Sequence, residues 1–140
     1  MAFTGNYSCN TLRTGLINST LIFATDTFKL ALYTNSASLN QLTTAYTVDG
    51  EASGGNYAAG GLVVAATVNT ALSTTGSTIF VNFSSPAWTG AITARGALIY
   101  KAGANGAVCV LDFGNNVTST GTFTVTMPAN TSTSALIRLV

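Results

Sequence analysis

The chain has 140 residues and a formal net charge of +1; 47% of its residues are hydrophobic and only 6% are charged. That much apolar material fills one core at this size and excludes a disordered chain. The five cations, Arg13, Lys29, Arg95, Lys101 and Arg138, are scattered, which argues against nucleic acid and against an anionic membrane surface as partners.

The first twenty residues alternate poorly between apolar and polar. Residues 1–20 are expected to form an N-terminal arm that orders against a partner, and a short helical cap within CNTLRTGLI is the other reading. MAFTGNYSCNTLRTG carries no basic stretch followed by an apolar one, so synthesis in the cytoplasm is expected. Residues 21–140 read as one domain. Threonine, alanine, serine and asparagine dominate it, whereas Glu and Lys are scarce, and such a composition favours strands and turns over helices.

TFKLALYT (27–34) alternates, with Phe28, Leu30 and Leu32 on one face. TAYTV (44–48) reads as a short strand and GLVVAATV (61–68) as a buried one. STIFVNFS (77–84) groups Ile79, Val81 and Phe83 before Ser85-Pro86 ends the run. AITARGALIYK (91–101) has Gly96 at its centre, the mark of a bulge or of close packing. Gly103 to Gly106 predicts a hairpin turn into AVCVLDFG (107–114). GTFTVTMP (121–128) points Phe123, Val125 and Met127 inward, and SALIRLV (134–140) closes the chain. About eight strands at these spacings predict an all-β fold, a jelly-roll-like antiparallel β-sandwich.

Chemistry is sparse. The sequence has no histidine, which removes the commonest general base and metal ligand. The carboxylates are Asp26, Asp49, Glu51 and Asp112. Asp49 and Glu51 flank Gly50, where Asp-Gly reads as a turn more simply than as an acid pair. GGNYAAGG (54–61) lacks the Lys-Ser/Thr of a phosphate loop and the G-x-G-x-x-G spacing, so its glycines read as backbone geometry with Tyr57 packed over the sandwich edge. Cys9 and Cys109 read as packing thiols, a disulfide between them being the unsupported alternative. Trp88 either anchors a binding surface or covers one end of the core. Five N-x-S/T sequons, at Asn6, Asn18, Asn82, Asn116 and Asn130, are expected by chance in so Asn- and Thr-rich a chain. No cofactor, no metal and no enzymatic activity are expected.

A β module whose outer faces carry Thr, Ser and Asn can be packed against other molecules without desolvating ions. DTFKLALYT, TAYT, the pattern GE-x-x-GG-x-Y-x-x-GG, FVNFSSPAWTG, ARGALIYK and VLDFG together resemble the small cement, or decoration, proteins of tailed-bacteriophage capsids, over residues 26 to 139. The resemblance implies a jelly-roll subunit that dimerises on the outside of an HK97-type head, bridges capsomers and has no catalytic residues. The major capsid protein and a second copy of the chain are then the expected partners, and the outer surface of the virion its place. Phe3, Tyr7, Leu12, Arg13, Tyr57 and Trp88 are the residues expected at an interface. A tail or fibre component and a carbohydrate-binding module are the rival readings.

Overall fold

A computed structural model describes residues 3–69 and 78–139. The predicted strand ends at residues 77 and 140 and the first two residues of the expected arm lie outside them. The described chain is an antiparallel β fold with one short helix, as the composition requires. Its elements are β1 (Tyr7–Ser8), α1 (Asn10–Asn18), β2 (Phe28–Tyr33), β3 (Leu62–Val64), β4 (Ala66–Asn69), β5 (Ile79–Phe83), β6 (Ala87–Thr89), β7 (Ile92–Lys101), β8 (Ala107–Ser119), β9 (Thr122–Thr124) and β10 (Ile137–Leu139).

Five strands form the main sheet in the order β1-β8-β7-β2-β3; β10-β5-β4 form a second, and β6-β9 a two-stranded ribbon. The alternating residues do what their period demands. Phe28, Leu30 and Leu32 of β2 enter one core together with Ala97, Ile99, Val81, Phe83, Trp88 and Phe123. Phe23, Phe28 and Phe83 meet there, with ring centroids 5.2 to 6.0 Å apart. Val125 and Met127 also point inward, although only residues 122–124 of that run pair as a strand.

The main sheet is covered on its other face too. Ala31, Tyr33, Leu98 and Tyr100 pack there against Phe3, Cys9, Ala37 and Leu39, and Tyr46 joins from the loop. This second layer accounts for two departures from expectation. TAYTV (44–48) is not a strand: Tyr46 stacks on Tyr100 at 4.9 Å, so the segment lies over the sheet instead of pairing in it. The N-terminal segment follows the helical-cap reading and not that of an arm awaiting a partner: Phe3 is 1% exposed in this layer, β1 pairs with β8, and α1 sets Leu12 into the first core.

Gly96 shows why Phe3 fits. A Cβ at that position would stand 2.3 Å from Phe3 Cε1 and 2.5 Å from the Leu111 carbonyl, so the bare backbone makes room for the ring. The pairing of β7 with β8 also shifts register between Ala94 and Gly96, so both meanings of a mid-strand glycine are realised. The predicted hairpin turn is present, with Gly103 and Asn105 at positive φ and the Lys101 N–H donating to Gly106.

The apolar run 61–68 is not one buried strand. It breaks at Ala65, sending β3 to the edge of the main sheet and β4 into the second. Leu62 and Val63 are exposed on that edge, and only Val64 is buried. Ser84 clamps the break: its N–H donates to the Ala65 carbonyl and its hydroxyl accepts the Ala65 N–H.

Candidate functional site

Two features concentrate the polar chemistry of the described chain: the glycine-rich loop around Glu51, and a groove beside the N-terminal helix. The loop begins where Ala52 donates its N–H to the Leu32 carbonyl and ends where Leu62 pairs with Leu30. Residues 53–61 are thus an excursion from an edge that resumes on the same strand. The gap is filled by a side chain. The Tyr57 hydroxyl accepts the Leu32 N–H at 2.9 Å, standing in for a strand carbonyl, and donates onward to Glu51 Oε1 at 2.7 Å.

Glu51 gathers the loop. Its carboxylate accepts from the Tyr57 hydroxyl, from the Gly60 N–H at 2.7 Å and from the Tyr46 hydroxyl at 2.6 Å. Tyr100 donates to the Gly60 carbonyl, and Tyr33 to the Thr47 carbonyl. Burial, reinforced by the neighbouring carboxylate, pushes the Tyr46 phenol up to about 12, and it raises Tyr33, Tyr57 and Tyr100 as well. These phenols are fixed donors, held neutral.

The glycines explain themselves by contact. A Cβ on Gly61, at φ +76°, would fall 1.8 Å from the Leu30 carbonyl oxygen. Gly54 and Gly55 lie against the carbonyls of Ala91 and Thr89, and Asn56 exchanges two hydrogen bonds with Thr89. The loop is therefore sewn to the corner between β6 and β7. Asp49 is exposed and makes no ion pair among the described residues, whereas Glu51 is turned into the tyrosine network.

The residues expected at an interface divide. Phe3 and Trp88 are each 1% exposed and Leu12 is 3% exposed, so the fold spends these three on its interior. Trp88 packs between Tyr57 and Phe123, and its indole N–H has no partner among the described residues. Tyr57 is half-buried in its network. Tyr7 and Arg13 reach the surface, where they line a groove of about 520 Å³ between α1, β1 and β10. Arg13 donates to Asn10 Oδ1 at 2.7 Å and to Ser8 Oγ at 2.8 Å. Arg138, which sequence reading left unassigned, lines the same groove. Nothing in its local sequence placed it near Arg13, since the two come to one groove only through the packing of β10 beside α1 and β1.

Unpaired charge is scarcer than the composition states. Arg95 pairs with Asp112 beneath the Phe3 ring, and Lys101 pairs with Asp26 at 3.0 Å. The backbone N–H of Ile22 and the Lys101 ammonium hold the Asp26 carboxyl below its usual range. Both cysteines are free and buried, and burial pushes the Cys9 thiol up to about 11. Among the described residues no cluster of His, Cys, Asp and Glu could hold a metal ion. No helix of the described residues is long and apolar enough to cross a membrane. No protein-family model, curated protein or solved structure matches the chain.

Proposed function

We propose that the chain is a structural virion protein, a capsid cement protein that binds the outside of a tailed-phage head as a dimer and bridges its capsomers. The observation that carries this reading is the neutral, partly apolar exterior. Four of the nine charged side chains are neutralised in pairs within the chain, and Ile17, Leu42, Val48, Val63 and Leu139 stand more than half exposed. Monomers that live alone in solution rely on surface charge to stay apart. A surface of Thr, Ser and Asn with scattered aliphatic residues adheres at little desolvation cost. The jelly-roll reading belongs to the same proposal, through the resemblance of residues 26 to 139 to cement proteins.

The mechanism is mechanical. A seam between capsomers is spanned by one rigid body that touches both sides. A contact of ordinary size buries about 1,600 Å² in total, and its affinity on its own can be weak. Dimerisation makes the second contact intramolecular, with a gain of about 10² to 10⁴ in avidity. Glu51 and its tyrosines serve rigidity, pinning the longest loop to the sheet.

The test is to mix purified protein with undecorated shells and image them by electron microscopy. Ordered density at the seams is the expected result. Bare shells at saturating protein would overturn the reading, and labelled protein found on tails would replace it with a tail component. A carbohydrate-binding role is disfavoured by position, since Trp88 lies under Tyr57 with no ring face open for a sugar.

A further inference from the structure

β10 is bonded on one side only. It pairs with β5, and among the described residues no strand takes its other edge. Residues of a strand present N–H and C=O groups alternately to either side, so that edge offers backbone partners to an incoming chain. The groove of about 520 Å³ runs between β10 and the wall made by β1, α1 and the start of β8. Its volume falls within the range of binding clefts, about 300–1,000 Å³. Leu12, Leu16, Leu111 and Ile137 give it an apolar lining, and Arg13 and Arg138 give it charge.

The charge is unbalanced. Arg95 and Lys101 have their carboxylates, whereas Arg13 is held by Asn10 and Ser8, neutral acceptors that orient the guanidinium without neutralising it. Among the described residues no carboxylate side chain lines the groove. Two arginines on the lining of an apolar trough match a carboxylate carried on an apolar backbone strand.

We propose that the groove takes an extended segment of the protein on which this chain is mounted, one that alternates apolar side chains, carries Asp or Glu, and joins β10 as an added strand. The identity of the partner rests on the cement reading; the chemistry of the segment does not. A second copy of the chain fits poorly. Asp26 and Asp112 are in ion pairs and Glu51 is bound by tyrosines, which leaves Asp49 as the one uncommitted side-chain carboxylate among the described residues to answer two arginines. Strand addition needs only a short match, because main-chain hydrogen bonds supply affinity while the flanking pockets and charges supply choice.

The experiment compares the full-length protein with R13Q/R138Q and R13K/R138K, each checked by thermal melting for an intact fold. Each is panned against a displayed library of random decapeptides and, separately, against undecorated shells. The expected peptides alternate apolar residues and include Asp or Glu. R13Q/R138Q weakens them by about tenfold or more, and R13K/R138K restores part of the loss. Changing the peptide's acid to its amide costs the wild type as much and the R13Q/R138Q protein little, the signature of a direct pair. Methylating alternate peptide nitrogens abolishes binding. Enrichment without acids, equal binding by R13Q/R138Q, or no enrichment overturns the proposal. So does self-association in sedimentation that disappears in R13Q/R138Q, which would make a second copy the occupant. On shells, wild-type occupancy by R13Q/R138Q sinks the groove and spares the cement reading. Failure of the wild type to decorate sinks the cement reading, and the peptide arm still decides the groove.

Discussion

Replacing Tyr57 by phenylalanine keeps the ring against Trp88 and removes the hydroxyl that accepts the Leu32 N–H. Leu32 is buried, so its N–H is left without water or partner, at a cost of about 1–3 kcal/mol. Glu51→Gln keeps the side-chain volume and weakens three hydrogen bonds by removing the charge, a loss of about 1–2 kcal/mol. Because Tyr57 and Glu51 share a bond, the double variant is expected to fall short of the sum in chemical denaturation. The same cluster sets an alkaline limit. Its phenols have folded values above the ordinary 10, so the unfolded chain releases its protons first as pH rises. Their contribution to stability is complete below about pH 10 and is lost upward from there, through about 12 for Tyr46. Denaturation midpoints at pH 8, 10 and 11 check this; a midpoint independent of pH over that span would refute the network. Tyr57 was legible as a packing residue because it sits in a glycine-rich stretch. That its hydroxyl substitutes for a main-chain carbonyl was not, since no residue pattern encodes which donor lies across the edge.

At the scale of the elements, Gly96 and Phe3 form a lock. Gly96→Ala must displace the Phe3 ring and strain the Leu111 carbonyl, an overpacking cost of about 1–3 kcal/mol. Phe3→Ala empties a buried site at about 3–5 kcal/mol. In the Phe3→Ala background Gly96→Ala is expected to cost less than it does alone, and additive losses in thermal melts would show that the ring and the glycine do not meet. Removing residues 2–18 takes away Phe3, β1 and α1 together, so it is a core deletion and not the trimming of an arm. Period-two alternation made β2 and the inward residues of 121–128 readable, and the glycines between β7 and β8 marked the hairpin. The N-terminal helix was harder, because Leu12, Gly15 and Leu16 give only one turn of apolar spacing. TAYTV has the composition of a strand, and only the presence of the Tyr100 ring decides that Tyr46 stacks instead of pairing. The run 61–68 looked uniformly buried because apolar content does not show where a chain changes sheets.

For the molecule as a whole, ion pairing leaves Arg13, Lys29, Arg138 and Asp49 as the charged side chains without an opposite partner or a tyrosine cage among the described residues. Long-range repulsion between copies is correspondingly weak. Static light scattering is expected to give a second virial coefficient near zero or negative that changes little between about 20 and 200 mM salt. A large positive value that collapses on adding salt would contradict a surface made for contact. Low charge and the all-β class were plain from composition; that Arg13 and Arg138 line one groove depended on topology, to which composition is blind.

Ala65 sits between Val64 and Ala66, neighbours but one that belong to different layers. A tug on one layer therefore reaches the other along covalent backbone, with no slip plane at that corner. In the proposed cement role, a swelling particle pulling on the chain would meet a tether there before it could shear the layers apart.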